Sequence, residues 1–160
     1  MNASIDVLTL FLFNIVLVNI PLLYGTVGEI VTEKAGSLNL GVEGTMAIGA
    51  IFGYLAGCMA NSLLVGLLVS FLAAGLCGAL FALLTVSLQA NQNVTGLALS
   101  IFGTGIGQFI GEYMRVSENG YISVSNMLKG YFQNSPFPKG LQDIPVVGGI
   151  LFGNSFFFYL

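Results

Sequence analysis

The sequence predicts an all-α fold, a polytopic transmembrane helix bundle with a broken or re-entrant helix near residues 29–44. Three observations predict it. No charged side chain occurs between Glu43 and Glu112, and at about 1.5 Å of rise per residue that run supplies about three crossings of a hydrocarbon core roughly 30 Å thick. Composition agrees, with 56% hydrophobic residues, 7% charged residues and a mean hydropathy of +0.92, against about 25% charged in ordinary globular domains. Finally, small residues recur every fourth position in three apolar stretches, a spacing that lets helix backbones approach closely.

The first apolar segment covers residues 5–28. Its leading residues Met1 to Asp6 carry no Lys or Arg and no small-residue cleavage site follows, so it reads as a retained membrane helix rather than a signal peptide. Pro21, which removes one backbone donor, is expected to kink it, and Asn14 and Asn19 are expected to face protein. Further apolar segments follow at residues 41–60, 63–88 (after an Asn61-Ser62 turn) and 94–114 (after the polar Gln89 to Asn93). Asn93-Val94-Thr95 has the form of a glycosylation sequon, but an Asn just before an apolar run is more simply a helix cap.

Residues 115–147 differ. They hold Arg115, Glu118, Lys129, Lys139, Asp143 and three prolines, and read as a water-facing connection with one short amphipathic helix around Ser125 to Phe132. A new apolar stretch occupies 148–160 and stops about halfway through what would be a crossing, so residues 1–160 read as the amino-terminal part of a single membrane-spanning domain, truncated at Leu160.

Gly41, Thr45, Gly49, Gly53 and Gly57 form one small-residue stripe, Gly66, Ser70, Ala74, Gly78 and Ala82 a second, and Gly103, Gly107 and Gly111 a third. Gly49, Gly53, Gly57, Gly103, Gly107 and Gly111 are therefore the helix-packing candidates.

Several function classes drop out. A net charge of −3 gives no reason to expect a nucleic-acid partner. Histidine is absent and the two cysteines, Cys58 and Cys77, lie apart in apolar stretches, which excludes His-activated nucleophiles and leaves no metal-ligand spacing. Gly36 to Gly41 lacks the Lys-Ser/Thr of a phosphate loop, and Gly103-Thr-Gly105-Ile-Gly107 lacks the strand context of a dinucleotide fingerprint. No catalytic residue, metal or cofactor is expected on this chain, and an intramembrane enzyme ranks last among the readings.

What remains is TEKAGSLNLGVEG, Thr32 to Gly44. Gly36, Gly41 and Gly44 make a continuous helix costly, while Ser37 and Asn39 can bond freed backbone groups. Two readings stay open from the residues alone. One is a broken helix lining a solute path, with Glu43 partly intramembrane. The other is an interfacial loop with Glu29, Glu33 and Lys34 at headgroup level and Glu43 in the first turn of a helix.

The string GEIVTEKAGSLNLGVEGTMAIGA, Gly28 to Ala50, resembles the signature of the membrane permeases of ATP-binding-cassette importers for nucleosides and simple sugars, relatives of the ribose and branched-chain amino acid permeases. NQNVTGLALSIFGTGIGQFIG (Asn91 to Gly111) and LQDIPVVGGILFG (Leu141 to Gly153) resemble the same group in the expected order. The resemblance implies an ATP-driven importer of nucleosides or related small polar solutes, in which this chain, similar to the smaller of two permeases, forms half of the path. It also implies three partners: a second permease subunit, an ATP-binding subunit that hydrolyses ATP, and an extracytoplasmic solute-binding protein, often a lipoprotein. Asn39, Leu40, Gly41, Glu43 and Gly44 would then sit in a broken helix beside the path, with Thr95, Gly96 and Ser100 in a facing stretch.

The implied location is the bacterial plasma membrane, multi-pass and in contact with lipid. The residue 115–147 connection would lie outside the cell, although its three basic residues against two acids weakly favour the cytoplasm. Two other classes remain as alternatives: an ion-coupled secondary transporter or channel using Glu33 or Glu43, and a noncatalytic membrane assembly subunit whose glycine stripes only bind neighbouring helices.

Overall fold

The computed structural model describes residues 3–116 and 126–133. It contains α1 (Ala3–Lys34), α2 (Val42–Ala60), α3 (Leu63–Ala82) continued by a π-helical turn at Leu83–Ser87, α4 (Gln92–Val116) and the short α5 (Asn126–Gln133). Among the described residues there is no strand, and four helices are long and apolar enough to cross a membrane: Leu10–Lys34, Val42–Ala60, Leu63–Ser87 and Gln92–Met114. The all-α transmembrane class is the one the composition predicts. The apolar segment 148–160, the Leu141 to Gly153 stretch and most of the 115–147 connection lie outside the described residues.

The chain divides into two units. One comprises Met1–Tyr24 with Asn126–Leu160, the other Gly25–Ser125. In the first unit α1 runs unbroken through Pro21. Asn14 and Asn19 are both exposed among the described residues. Asn19 meets its own need locally, its amide donating to the Ile15 carbonyl at 2.7 Å, which is how a polar side chain on an apolar helix is satisfied without a neighbour.

In the second unit α1 does not stop near Gly28 but continues to Lys34. Glu33 and Lys34 are tolerated helix residues, the Thr32 hydroxyl bonds back to the Gly28 carbonyl at 3.0 Å, and Lys34 in the last turn suits the negative end of the helix dipole. The interruption is therefore narrower than residues 29–44: it covers only Ala35 to Gly41.

Two further boundaries have identifiable chemistry. α2 ends where Asn61 adopts a left-handed conformation (φ 48°, ψ 38°), its N–H donating to the Cys58 carbonyl and that of Ser62 to the Gly57 carbonyl. That pair of bonds closes the last helical turn. α4 begins at Gln92 because the Asn91 side chain accepts from the N–H groups of Asn93 (3.0 Å) and Val94 (3.2 Å). The cap is thus Asn91 and not Asn93, which already lies inside the helix.

Within this unit α2 packs against both α3 and α4. Phe71, Ile101 and Phe109 are 73–76% exposed, whereas Gly41, Gly44, Gly49, Gly57, Gly96 and Gly103 are buried. This inversion fits helices solvated by lipid, where apolar side chains gain nothing by turning inward and close backbone packing supplies the cohesion.

The four-residue stripe of α2 divides between two neighbours. Gly49, Gly53 and Gly57 face α3, where Cβ positions would lie 2.7 Å from Ser70 Cβ for Gly53 and 3.5 Å from Gly66 Cα for Gly57. Gly41 instead meets α4, as does Gly44 beside the stripe. At 3.6 residues per turn a four-residue step drifts by about 40°, so a stripe of five positions turns far enough to find a second partner. A Cβ at Gly107 would lie 3.7 Å from Ala47 Cβ, while the Cβ positions of Gly78 and Gly111 have no neighbour within 4 Å.

Candidate functional site

The interruption between α1 and α2 is ordered by side chains. Gly36 adopts φ +88°, its N–H donating to the Glu33 carbonyl at 2.9 Å and that of Ser37 to the Thr32 carbonyl at 3.1 Å. A left-handed glycine at this point ends α1 without the steric cost a Cβ would bring. The chain then runs without regular structure through Ser37 to Asn39, turns at Leu40 and Gly41, and enters α2 at Val42.

Several of the backbone groups along this path have identifiable partners. Leu38 N–H donates to Gln92 Oε1 at 2.9 Å, and Asn39 N–H to Glu29 Oε1 at 2.7 Å. The Leu40–Gly41 peptide is held at both edges, since Gly41 N–H donates to Asn39 Oδ1 (2.9 Å) and the Leu40 carbonyl accepts from Ser100 Oγ (2.8 Å). Buried or half-buried backbone polar groups require such partners, and here they come from α1, the break itself and α4.

The glycines set the distance. A Cβ at Gly96 would lie 2.7 Å from the Leu40 nitrogen and 3.0 Å from that of Gly41, and one at Gly41 would lie 3.1 Å from the Gly96 carbonyl oxygen. Farther along, a Cβ at Gly44 would lie 2.6 Å from Ser100 Cα and one at Gly103 2.6 Å from Gly44 Cα. The start of α2 and the middle of α4 are therefore in backbone contact, leaving no room for side chains between them.

Of the pathway candidates, the structure brings Asn39, Leu40, Gly41 and Gly44 together with Gly96 and Ser100. Two candidates stand apart. Glu43 is exposed in the first turn of α2, and Thr95 lines a separate apolar cleft of about 570 Å³ between α3 and α4 with Phe81, Leu84, Ala98 and Phe102. Beside that cleft the π-helical turn carries the buried Thr85, whose hydroxyl donates to the Phe81 carbonyl at 2.8 Å.

The residue missed by sequence reasoning is Glu29. It lies on the helical part of α1 and its carboxylate turns to the break: Oε1 accepts the Asn39 N–H, while Oε2 is buried and has no hydrogen-bond partner among the described residues. Gln92 was likewise not singled out. The available signal was the polar character of both residues at the flanks of apolar runs, but their meeting with the break depends on tertiary structure.

This arrangement can present main-chain and side-chain polar groups to a solute at a helix interruption. It holds no nucleophile-base pair. Residues 11–153 match the family described as the permease component of branched-chain amino acid transport systems. The chain belongs to that family.

With four helices able to span a bilayer, this family member is a multi-pass membrane protein. Individual relatives are permease subunits by name. A Haloferax volcanii protein provisionally named a glucose ABC transporter permease protein is 31% identical over 140 residues, covering 87% of this chain and 40% of its own length. The nucleoside ABC transporter permease protein of Lactococcus lactis subsp. cremoris is 31% identical over 156 residues, covering 92% of this chain and 46% of its own. The guanosine ABC transporter permease protein of Bacillus subtilis is 30% identical over 149 residues, covering 86% and 43% respectively. This family member thus spans less than half the length of these curated relatives. No solved structure matches it.

Proposed function

We propose that the chain forms the amino-terminal part of a transmembrane permease subunit in an ATP-driven importer of nucleosides or related small polar solutes. Family membership and the nucleoside, guanosine and glucose permeases among the relatives support this reading. The observation that carries it is the interruption at Ala35 to Gly41, braced from α1 by Glu29 and from α4 by Gln92 and Ser100. Helix interruptions braced by neighbouring elements are how membrane transporters present backbone groups to a solute.

On this reading Asn39, Leu40, Gly41, Gly44, Gly96 and Ser100 form one wall of the path, with Glu43 and Thr95 at its margins. The partners are a second permease subunit, an ATP-binding subunit and an extracytoplasmic solute-binding lipoprotein, assembled in a bacterial plasma membrane. The chain contributes positioning and passage, with ATP hydrolysis on the separate subunit and no cofactor of its own. ATP binding there rocks the permease helices and opens the path alternately to each side.

Uptake of radiolabelled guanosine, uridine and glucose, measured in cells carrying the full-length protein with its partner subunits, tests the proposal. Uptake that persists when the proton and sodium gradients are collapsed and stops when the ATP-binding subunit is deleted is the expected result. The opposite pattern would establish the ion-coupled alternative. An unchanged solute profile on deletion of the permease itself would leave only an assembly role.

A further inference from the structure

The orphaned oxygen of Glu29 carries an inference that rests on the importer reading and deepens it. The two oxygens of this carboxylate have different fates. Oε1 is engaged by the Asn39 N–H at 2.7 Å, and so fixes the first residue of the turn into α2. Oε2 is closed off from solvent and accepts nothing among the described residues. A buried acceptor without a donor is a cost in a folded protein and one that calls for an explanation, a functional role among them.

The surroundings limit what that partner can be. A bound cation needs several oxygens around it, and of the break's oxygens Asn39 Oδ1 already takes the Gly41 N–H and the Leu40 carbonyl the Ser100 hydroxyl. No group of three or more His, Cys, Asp or Glu side chains that could hold a metal occurs among the described residues. A buried carboxylate oxygen whose twin already holds a backbone N–H calls for an N–H or O–H donor.

We propose that Glu29 Oε2 is a recognition group for the transported solute, accepting a hydrogen bond from an N–H or O–H of a neutral polar molecule when the break opens to the path. Nucleosides and sugars carry such donors. In the closed arrangement Oε1 keeps the break in register while Oε2 is sealed. Opening exposes Oε2, and a solute that donates to it gains a bond that no group among the described residues offers. Solutes lacking a suitably placed donor leave Oε2 unpaired and are disfavoured, as buried polar groups reject analogues that cannot pair with them. Glu29 then couples solute identity to the geometry of the Asn39 to Gly41 turn, because one carboxylate touches both.

Glu29→Gln separates the two roles. The amide keeps a carbonyl oxygen for the Asn39 N–H but replaces the open acceptor with an NH₂ donor. The variant is placed in the full-length protein with its partner subunits, and assembly, KM and maximal rate are measured for whichever of guanosine, uridine and glucose the wild-type complex imports. The expected result is assembly at the wild-type level, a KM raised tenfold or more, and a maximal rate within about threefold. An unchanged KM and rate would show that Glu29 only braces the backbone and would overturn the proposal.

Should Glu29→Gln fail to assemble, labelling of wild-type Glu29 by a hydrophobic carbodiimide, followed by mass spectrometry, decides in its place. Protection by saturating imported solute supports the recognition role, and equal labelling with and without it refutes the role. A wild-type complex that imports none of the three solutes removes the importer reading itself, an outcome distinct from a wild-type complex that transports while Glu29→Gln behaves identically.

Discussion

Gly103 of α4 lies directly against the backbone of Gly44 of α2, so that a methyl group on Gly103 would sit 2.6 Å from both the Cα and the carbonyl carbon of Gly44 and overlap its oxygen. The obstacle is main chain, which cannot rotate aside as a flexible side-chain end can. Gly103→Ala must therefore push α4 off α2, at a cost of about 1–3 kcal/mol typical of overpacking. Gly111, two steps along the same stripe, has nothing within 4 Å of its Cβ position, and Gly111→Ala should be neutral or stabilise by up to about 1 kcal/mol through helix propensity. Thermal unfolding in mild detergent, run on both variants, checks the contrast; equal midpoints would contradict this packing.

The start of α4 gives a second contrast. Asn91 caps two N–H groups while Asn93 lies within the helix. Asn91→Ala should destabilise by about 1 kcal/mol, and Asn93→Ala should change stability by less than about 0.5 kcal/mol, as for a surface position away from special features. The same unfolding measurement applies. A larger loss at Asn93 would return the cap to that residue.

These contrasts mark where the sequence is informative. The spans were legible because a charge-free run and helix geometry leave few alternatives, and the break because Gly36, Asn39 and Gly41 each have a local reason to leave the helix. Which neighbour a glycine meets was not legible, since periodicity defines a face and not its partner, and drift of the stripe sets Gly41 against α4 while Gly49, Gly53 and Gly57 meet α3. The part played by Glu29 was hidden for a related reason: its bond to Asn39 crosses ten residues and exists only because α1 continues past Gly28. Between Asn91 and Asn93, two residues of identical chemistry, only the backbone could decide.

Gly36 ends α1 with φ +88° and has open space around its Cβ position, so strain alone governs substitution there. Gly36→Ala should cost about 1 kcal/mol, the penalty of a Cβ in the left-handed region, whereas Gly36→Asn should cost less because Asn tolerates that region. An Ala variant as stable as the Asn variant would mean that the turn relaxes into another conformation. Hydrogen exchange at the Gly36 and Ser37 amides, which donate to Glu33 and Thr32, reads that directly.

Asn39 and Ser100 act on one peptide unit from opposite sides, Asn39 Oδ1 on the Gly41 N–H and Ser100 Oγ on the Leu40 carbonyl. Losing either bond should destabilise by about 1 kcal/mol, the usual net worth of a neutral hydrogen bond. The two losses should not add. Once the peptide is free to rotate after Asn39→Ala, the Leu40 carbonyl no longer points at Ser100, so a subsequent Ser100→Ala removes little. A double-mutant cycle should return a coupling of at least about 0.5 kcal/mol. Additivity within about 0.3 kcal/mol would mean that close packing of Gly96 against Leu40 and Gly41 fixes the peptide by itself, and that the two side chains only decorate a turn already determined by its glycines.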